Sequence, residues 1–222
     1  FTAFLLLVGM SAARADDLQD CKQGAPEVAF AACTRIITNK TEIGQPLAAA
    51  YTNRGNLYAK RNEFDAAIAD HTKAIEISPA YSDAYINRGN VYHNNKQDYD
   101  RAIADYDEAI RLDPKYKYPR QGRANAIYAK ADYDGAIAAY GAAIQIDAKY
   151  ALAWNGRGNA WYAKGDYDRA TADYSQVIRI NPDHFRAYAD RGQAWYAKGD
   201  LDRAIADFSD AIRLDPKHAW SF

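Results

Sequence analysis

The chain has 222 residues, with 28 lysines and arginines against 29 aspartates and glutamates, for a formal net charge of −1. That balance excludes a nucleic-acid surface relying on bulk positive charge, and 49% apolar with 26% charged residues describes a folded, water-facing protein rather than a disordered one. Two cysteines are too few for a cysteine-based metal cluster or a disulfide-dense miniprotein.

In chain order, Phe1 to Met10 is apolar but too short to span a bilayer, and Ala13-Arg14-Ala15 supplies an A-x-A cleavage pattern. Residues 1–15 are therefore expected to be an export signal lacking its first residues, with a buried helix as the alternative. Export to the periplasm or the exterior would place Cys21 and Cys33 where disulfides persist, and would leave no transmembrane segment in the mature chain. Residues 16–47 read as a degenerate capping pair of helices. Asp16 to Lys22 forms a short helix ended by Gly24 and Pro26, and Glu27 to Ile37 aligns with the second helices further along. A Cys21–Cys33 bridge would staple this incomplete pair; two buried thiols are the alternative.

From residue 48 one register repeats. Arg54, Arg88, Arg123, Arg157 and Arg191 are spaced 34, 35, 34 and 34 residues apart, and Ala67, Ala102, Ala136, Ala170 and Ala204 are spaced 35, 34, 34 and 34. The units are 48–81, 82–116, 117–150, 151–184 and 185–218, with 219–222 starting another. The extra residue of the second unit falls between Tyr92 and Tyr99, in an expected helix–helix turn. Each unit reads as two helices. In the fourth, Trp154, Arg157, Gly158 and Trp161 share one face of a first helix, and Gly165-Asp166 breaks it. Ala170, Tyr174, Val177 and Ile178 face inward from the second helix, which Asn181-Pro182 stops. The fold is therefore expected to be all-α.

The 34-residue period carries the order aromatic, Gly, aromatic, Ala, aromatic, Ala, Pro. In the last unit these are Tyr188, Gly192, Trp195, Ala204, Phe208, Ala211 and Pro216. This pattern resembles the tetratricopeptide repeat family over five units. The third unit departs from it, with Arg120, Ala124 and Ala148 at motif positions and Pro119 in its first turn. The resemblance implies a right-handed α-solenoid and a non-catalytic scaffold that presents a concave groove to an extended segment of a protein or peptide partner. It also implies groove residues one and four places after the motif glycine. These are Asn56, Asn90, Asn125, Asn159 and Gln193, then Ala59, His93, Tyr128, Tyr162 and Tyr196. A row of amides can bond an extended backbone with little regard to its sequence. The alternative is that each asparagine bonds its own or a neighbouring helix.

Arginine stands where the family has leucine, and Asp70, Asp105, Asp173 and Asp207 follow Arg54, Arg88, Arg157 and Arg191 by sixteen or seventeen residues. Four Arg–Asp ion pairs between antiparallel helices are expected, within a repeat or between repeats, with ligand binding by the arginines as the alternative. In the third unit Ala139 takes the aspartate's place.

No catalytic residue, metal site or cofactor is expected. His71, His93, His184 and His218 occupy unrelated repeat positions. The Asp-Tyr-Asp strings at 98–100, 132–134 and 166–168 read as helix caps rather than calcium ligands. Two other readings stand beside the scaffold. The repeats could serve a larger enzyme or enzyme subunit, or self-associate through the last repeat as a structural array.

Overall fold

The structure, a computed structural model, describes residues 16–217. The segment expected as an export signal, the restart at 219–222 and His218 lie outside the described residues. The chain forms two compact units, one up to Pro114 and one from Lys115, and every long regular element among the described residues is a helix.

The first unit holds α1 (16–23), α2 (Pro26–Asn39), α3 (Gly44–Lys60), α4 (Phe64–Ile77), α5 (Ser82–Val91) and α6 (Tyr99–Leu112). The second holds α7 (Lys117–Ala129), α8 (Tyr133–Ile146), α9 (Ala151–Ala163), α10 (Tyr167–Ile180), α11 (Phe185–Lys198) and α12 (Leu201–Leu214). Within each unit, odd-numbered helices from α3 on pair with the next helix to form a hairpin, and successive hairpins pack on one another.

Local chemistry sets these boundaries. The side chains of Asp98, Asp132, Asp166 and Asp200 accept from the backbone N–H three residues on, capping α6, α8, α10 and α12. Asp98, Asp166 and Asp200 also hold the guanidinium groups of Arg101, Arg169 and Arg203, which lie over the rings of Tyr92, Trp161 and Trp195. The turn inside each hairpin contains one left-handed residue: Asn62, Gln97, Ala131, Gly165 or Gly199. The second repeat's extra residue is absorbed by a π-helical turn, Tyr92–Lys96, that prolongs α5 until Gln97 closes it with an N–H bond to the Tyr92 carbonyl. Helix α3 starts at Gly44, one turn before Ala48, and that turn carries Leu47 onto the cysteine cluster.

The interiors are built largely from alanine. Ala67, Ala74, Ala102, Ala109, Ala136, Ala143, Ala153 and Ala160 are fully buried. Small side chains let helix axes approach, and the space beside them is filled by Tyr106, Tyr140 and Tyr174. In the capping pair, Cys21 and Cys33 form a disulfide with Cα atoms 4.8 Å apart, packed with Ala32, Ile36 and Ala50. Asp17, one turn before Cys21, accepts from Arg35 Nε at 3.0 Å, so α1 runs antiparallel to α2 with the offset the bridge requires. Opening the bridge should cost the first unit ~2–3 kcal/mol. Urea unfolding with and without reductant checks this, and hydrogen exchange should rise in residues 16–23 while the second unit stays protected.

His71 occupies the place of Tyr106 in the first repeat. It is wholly buried, and neither ring nitrogen has a hydrogen-bond partner. Burial pushes its pKa from 6.5 down to about 4, the Arg88 charge adding to the effect. The unfolded chain therefore binds a proton below pH 6.5 that the folded chain refuses. Stability is complete above that pH and falls as the pH drops toward 4, by on the order of 3 kcal/mol. Replacing His71→Tyr should raise the melting temperature and flatten the melting profile between pH 6.5 and 4.

Candidate functional site

The second and fourth repeats are each locked by three consecutive residues of the first helix and two of the second, and the other repeats keep parts of this arrangement. The middle contact is a ring seated on a glycine. A Cβ on Gly55, Gly89, Gly158 or Gly192 would lie 2.7, 3.0, 2.7 or 2.9 Å from the ring of His71, Tyr106, Tyr174 or Phe208. Only glycine allows that approach without displacing the ring.

The residue before the glycine is the arginine. Arg54, Arg88, Arg157 and Arg191 each grip an aspartate with two parallel bonds, using Nε at 2.8, 2.9, 2.8 and 2.8 Å to Asp70, Asp105, Asp173 and Asp207. All four pairs lie within one repeat. The third guanidinium nitrogen of Arg88 and Arg191 donates to Thr72 Oγ1 and Ser175 Oγ of the preceding repeat, each at 2.9 Å. Gly141 occupies that position before Arg157, and offers no hydroxyl. The Asp105 hydrogen bonds hold the Arg88 proton more firmly, while burial raises the Asp105 pKa and Arg88 partly opposes it. A pair so desolvated fixes geometry more than it adds net stability. In an Arg88→Ala, Asp105→Ala double-mutant cycle the coupling should be ~0.5–3 kcal/mol; a value near zero in urea unfolding would show the pair to be inert.

The residue after the glycine is the amide. Tyr106, Tyr140 and Tyr174 hydroxyls donate to Oδ1 of Asn90, Asn125 and Asn159 at 2.8, 2.5 and 2.8 Å. The asparagine oxygen is thus held by its own repeat, while the residues themselves are half-buried on the first helices. Asn56 follows a glycine packed on His71, and Gln193, which is exposed, follows a glycine packed on Phe208; neither ring carries a hydroxyl. Beside these amides stand His93, Tyr128, Tyr162 and Tyr196, of which Tyr162 and Tyr196 are exposed. His93 packs against Tyr99, Tyr128 against Tyr133 and Tyr162 against Tyr167, with ring centroids 5.5, 5.4 and 5.3 Å apart.

Two features of this face escape sequence reading. Asn155 Nδ2 donates to Asp190 Oδ2 at 2.9 Å, joining α9 to α11, and burial raises the Asp190 pKa. In the first unit a cleft of about 690 Å³ opens beside the disulfide between α1, α3 and the start of α5, with Leu18, Pro46, Ala49, Asn53 and Tyr81 in its lining. The tyrosine–asparagine spacing of fifteen or sixteen residues, parallel to the arginine–aspartate one, was the available signal for the buried bonds. No group of residues fit to hold a metal occurs among the described residues.

Comparison with known proteins fits this geometry. Tetratricopeptide repeat models match residues 82–116 and 162–219, and a TPR repeat model matches 55–96 and 124–165. The chain belongs to the tetratricopeptide repeat family. A solved MamA structure is 25% identical, covers 78% of this chain and 94% of its own, and superposes with a TM-score of 0.68. YrrB, described as a TPR protein with an unusual peptide-binding site, is 24% identical over 86% of this chain and 94% of its own, at a TM-score of 0.63. A tetratricopeptide repeat protein from Parabacteroides merdae is 22% identical over 92% of this chain and 78% of its own, at 0.65. A search of curated proteins found no match. The repeats make the TPR chain a protein-interaction scaffold, and no described helix is long and apolar enough to cross a membrane.

Proposed function

We propose that this TPR protein is a non-catalytic scaffold whose first-helix face holds an extended segment of a protein partner. The observation that carries the reading is the recurrence of one amide and one aromatic at the same two positions in successive repeats. Asn125 with Tyr128 and Asn159 with Tyr162 lie one helical turn apart on α7 and α9, and those two helices contact each other. Amides bond a backbone, while tyrosines supply rigid apolar area and a hydroxyl. We also propose that the protein works outside the reducing cytoplasm. The Cys21–Cys33 bridge supports this, and the A-x-A pattern at 13–15 agrees with it.

The test must spare the fold. Truncating Asn125 or Asn159 to alanine would strand a buried tyrosine hydroxyl, at a cost of ~1–3 kcal/mol. The double change Asn125→Asp with Asn159→Asp keeps an acceptor for Tyr140 and Tyr174 while removing both outward donors. It should lower partner capture at least about tenfold and shift the melting temperature little. Undiminished capture by this variant, compared with wild type in cross-linked extracts of the source cells, would reject the face as the binding surface.

A further inference from the structure

The buried hydroxyls decide what the amide rungs can recognise. An asparagine side chain offers two donor hydrogens and one accepting oxygen, and a free amide can turn either end toward a partner. In the second unit that freedom is lost. Tyr140 and Tyr174 are 3% and 2% exposed, and their rings are wedged against Gly156 and Gly158. Burial pushes both phenols far above their ordinary pKa, so each hydroxyl keeps its proton and donates it. The acceptors are Asn125 Oδ1 and Asn159 Oδ1. Each Nδ2 is left pointing away from the tyrosine, and among the described residues neither has a hydrogen-bond acceptor.

Both rungs therefore donate. An ordinary extended strand presents N–H and C=O groups alternately; the Nδ2 ends serve only its carbonyls, and its N–H groups are left with the second lone pair of an oxygen already turned toward its tyrosine. Proline has no N–H, keeps a carbonyl, and presents a flat ring face to an aromatic. A polyproline II segment is also already ordered before it binds. The rings next to the rungs are the pairs Tyr128–Tyr133 and Tyr162–Tyr167, tilted by 54° and 57°. Donors beside aromatic pairs make up the chemistry by which proline-rich segments are held.

We propose that the first-helix face of the second unit takes a proline-rich segment in polyproline II conformation. Its carbonyls accept from Asn125 and Asn159 Nδ2, and its rings lie against Tyr128 and Tyr162. This rests on the scaffold reading above and narrows it. Tyr140 and Tyr174 act as positioning residues that set the direction of the rungs.

The experiment titrates the isotope-labelled full chain with a capped proline decapeptide and with a capped serine–alanine decapeptide, following side-chain amide resonances by NMR. The proline peptide should move the Asn125 and Asn159 Nδ2–H signals and bind at least roughly tenfold more tightly than the other. The Tyr140→Phe, Tyr174→Phe variant should keep its fold, since Phe208 fills the same position in the fifth repeat, and should lose most of that preference. Equal binding of the two peptides at these amides overturns the proline reading and leaves the scaffold standing. Movement of neither signal with the proline peptide also overturns it, and the scaffold is then judged by capture with the aspartate variant.

Discussion

The contact on which the rest depends is an aromatic ring of the second helix resting on the Cα of a glycine in the first. It brings two backbones close enough that the residues flanking the glycine must face the other helix. Arg88-Gly89-Asn90 meets Asp105-Tyr106, and Arg157-Gly158-Asn159 meets Asp173-Tyr174. One side becomes an ion pair and the other an amide–phenol bond. Glycine inside a helix sacrifices ~1 kcal/mol of propensity, and the close approach offsets it by burying a whole ring.

The repeats that break this rule show how its parts compensate. The third has Ala124 in place of glycine and Ala139 in place of aspartate. Its tyrosine ring meets a glycine of the next repeat instead, where a Cβ on Gly156 would lie 2.4 Å from Tyr140. The ring keeps a seat and the hydroxyl keeps Asn125. The first repeat keeps Gly55 and the Arg54–Asp70 pair but seats an imidazole with no hydroxyl, whose two ring nitrogens are both orphaned. The fifth keeps the Arg191–Asp207 pair and seats a phenyl ring, which needs no partner.

Much of this was legible in the sequence because a 34-residue period reports helix pairs directly, and arginine followed by aspartate sixteen or seventeen residues on points to an ion pair between helices, though not to whether it closes within or between repeats. The asparagines were less legible. Periodicity says which side of a helix a residue occupies but not how a two-ended side chain is turned, so groove and internal bond stayed open as alternatives. The structure commits the oxygens of Asn90, Asn125 and Asn159 to internal bonds, and the groove role of these amides stands as the proposal above. The π-turn at Tyr92–Lys96 was hidden for a related reason. Counting residues locates an insertion between two landmarks but not whether a helix or the turn absorbs it. Asn155–Asp190 has no repeat to announce it, being a bond found at a single place among the described residues.

An array whose interior is alanine faces a problem that a larger core does not. Methyl groups packed on methyl groups gain little from any one register, because sliding by a residue exchanges one small apolar contact for another. Directional bonds remove that ambiguity. A bidentate guanidinium has one best alignment with a carboxylate, and a phenol fixed by its ring reaches one amide. Desolvating these groups forfeits much of their energy, so their chief effect falls on uniqueness rather than on stability. The fourth repeat shows the two working together: Arg157 and Asn159 straddle Gly158, so a slip of one residue along α10 would break both bonds and lift Tyr174 from its seat at once. The same bonds that settle the register also settle which end of each amide is used inside the repeat. In this chain the orientation of the asparagine oxygens is a consequence of how the interior avoids slipping.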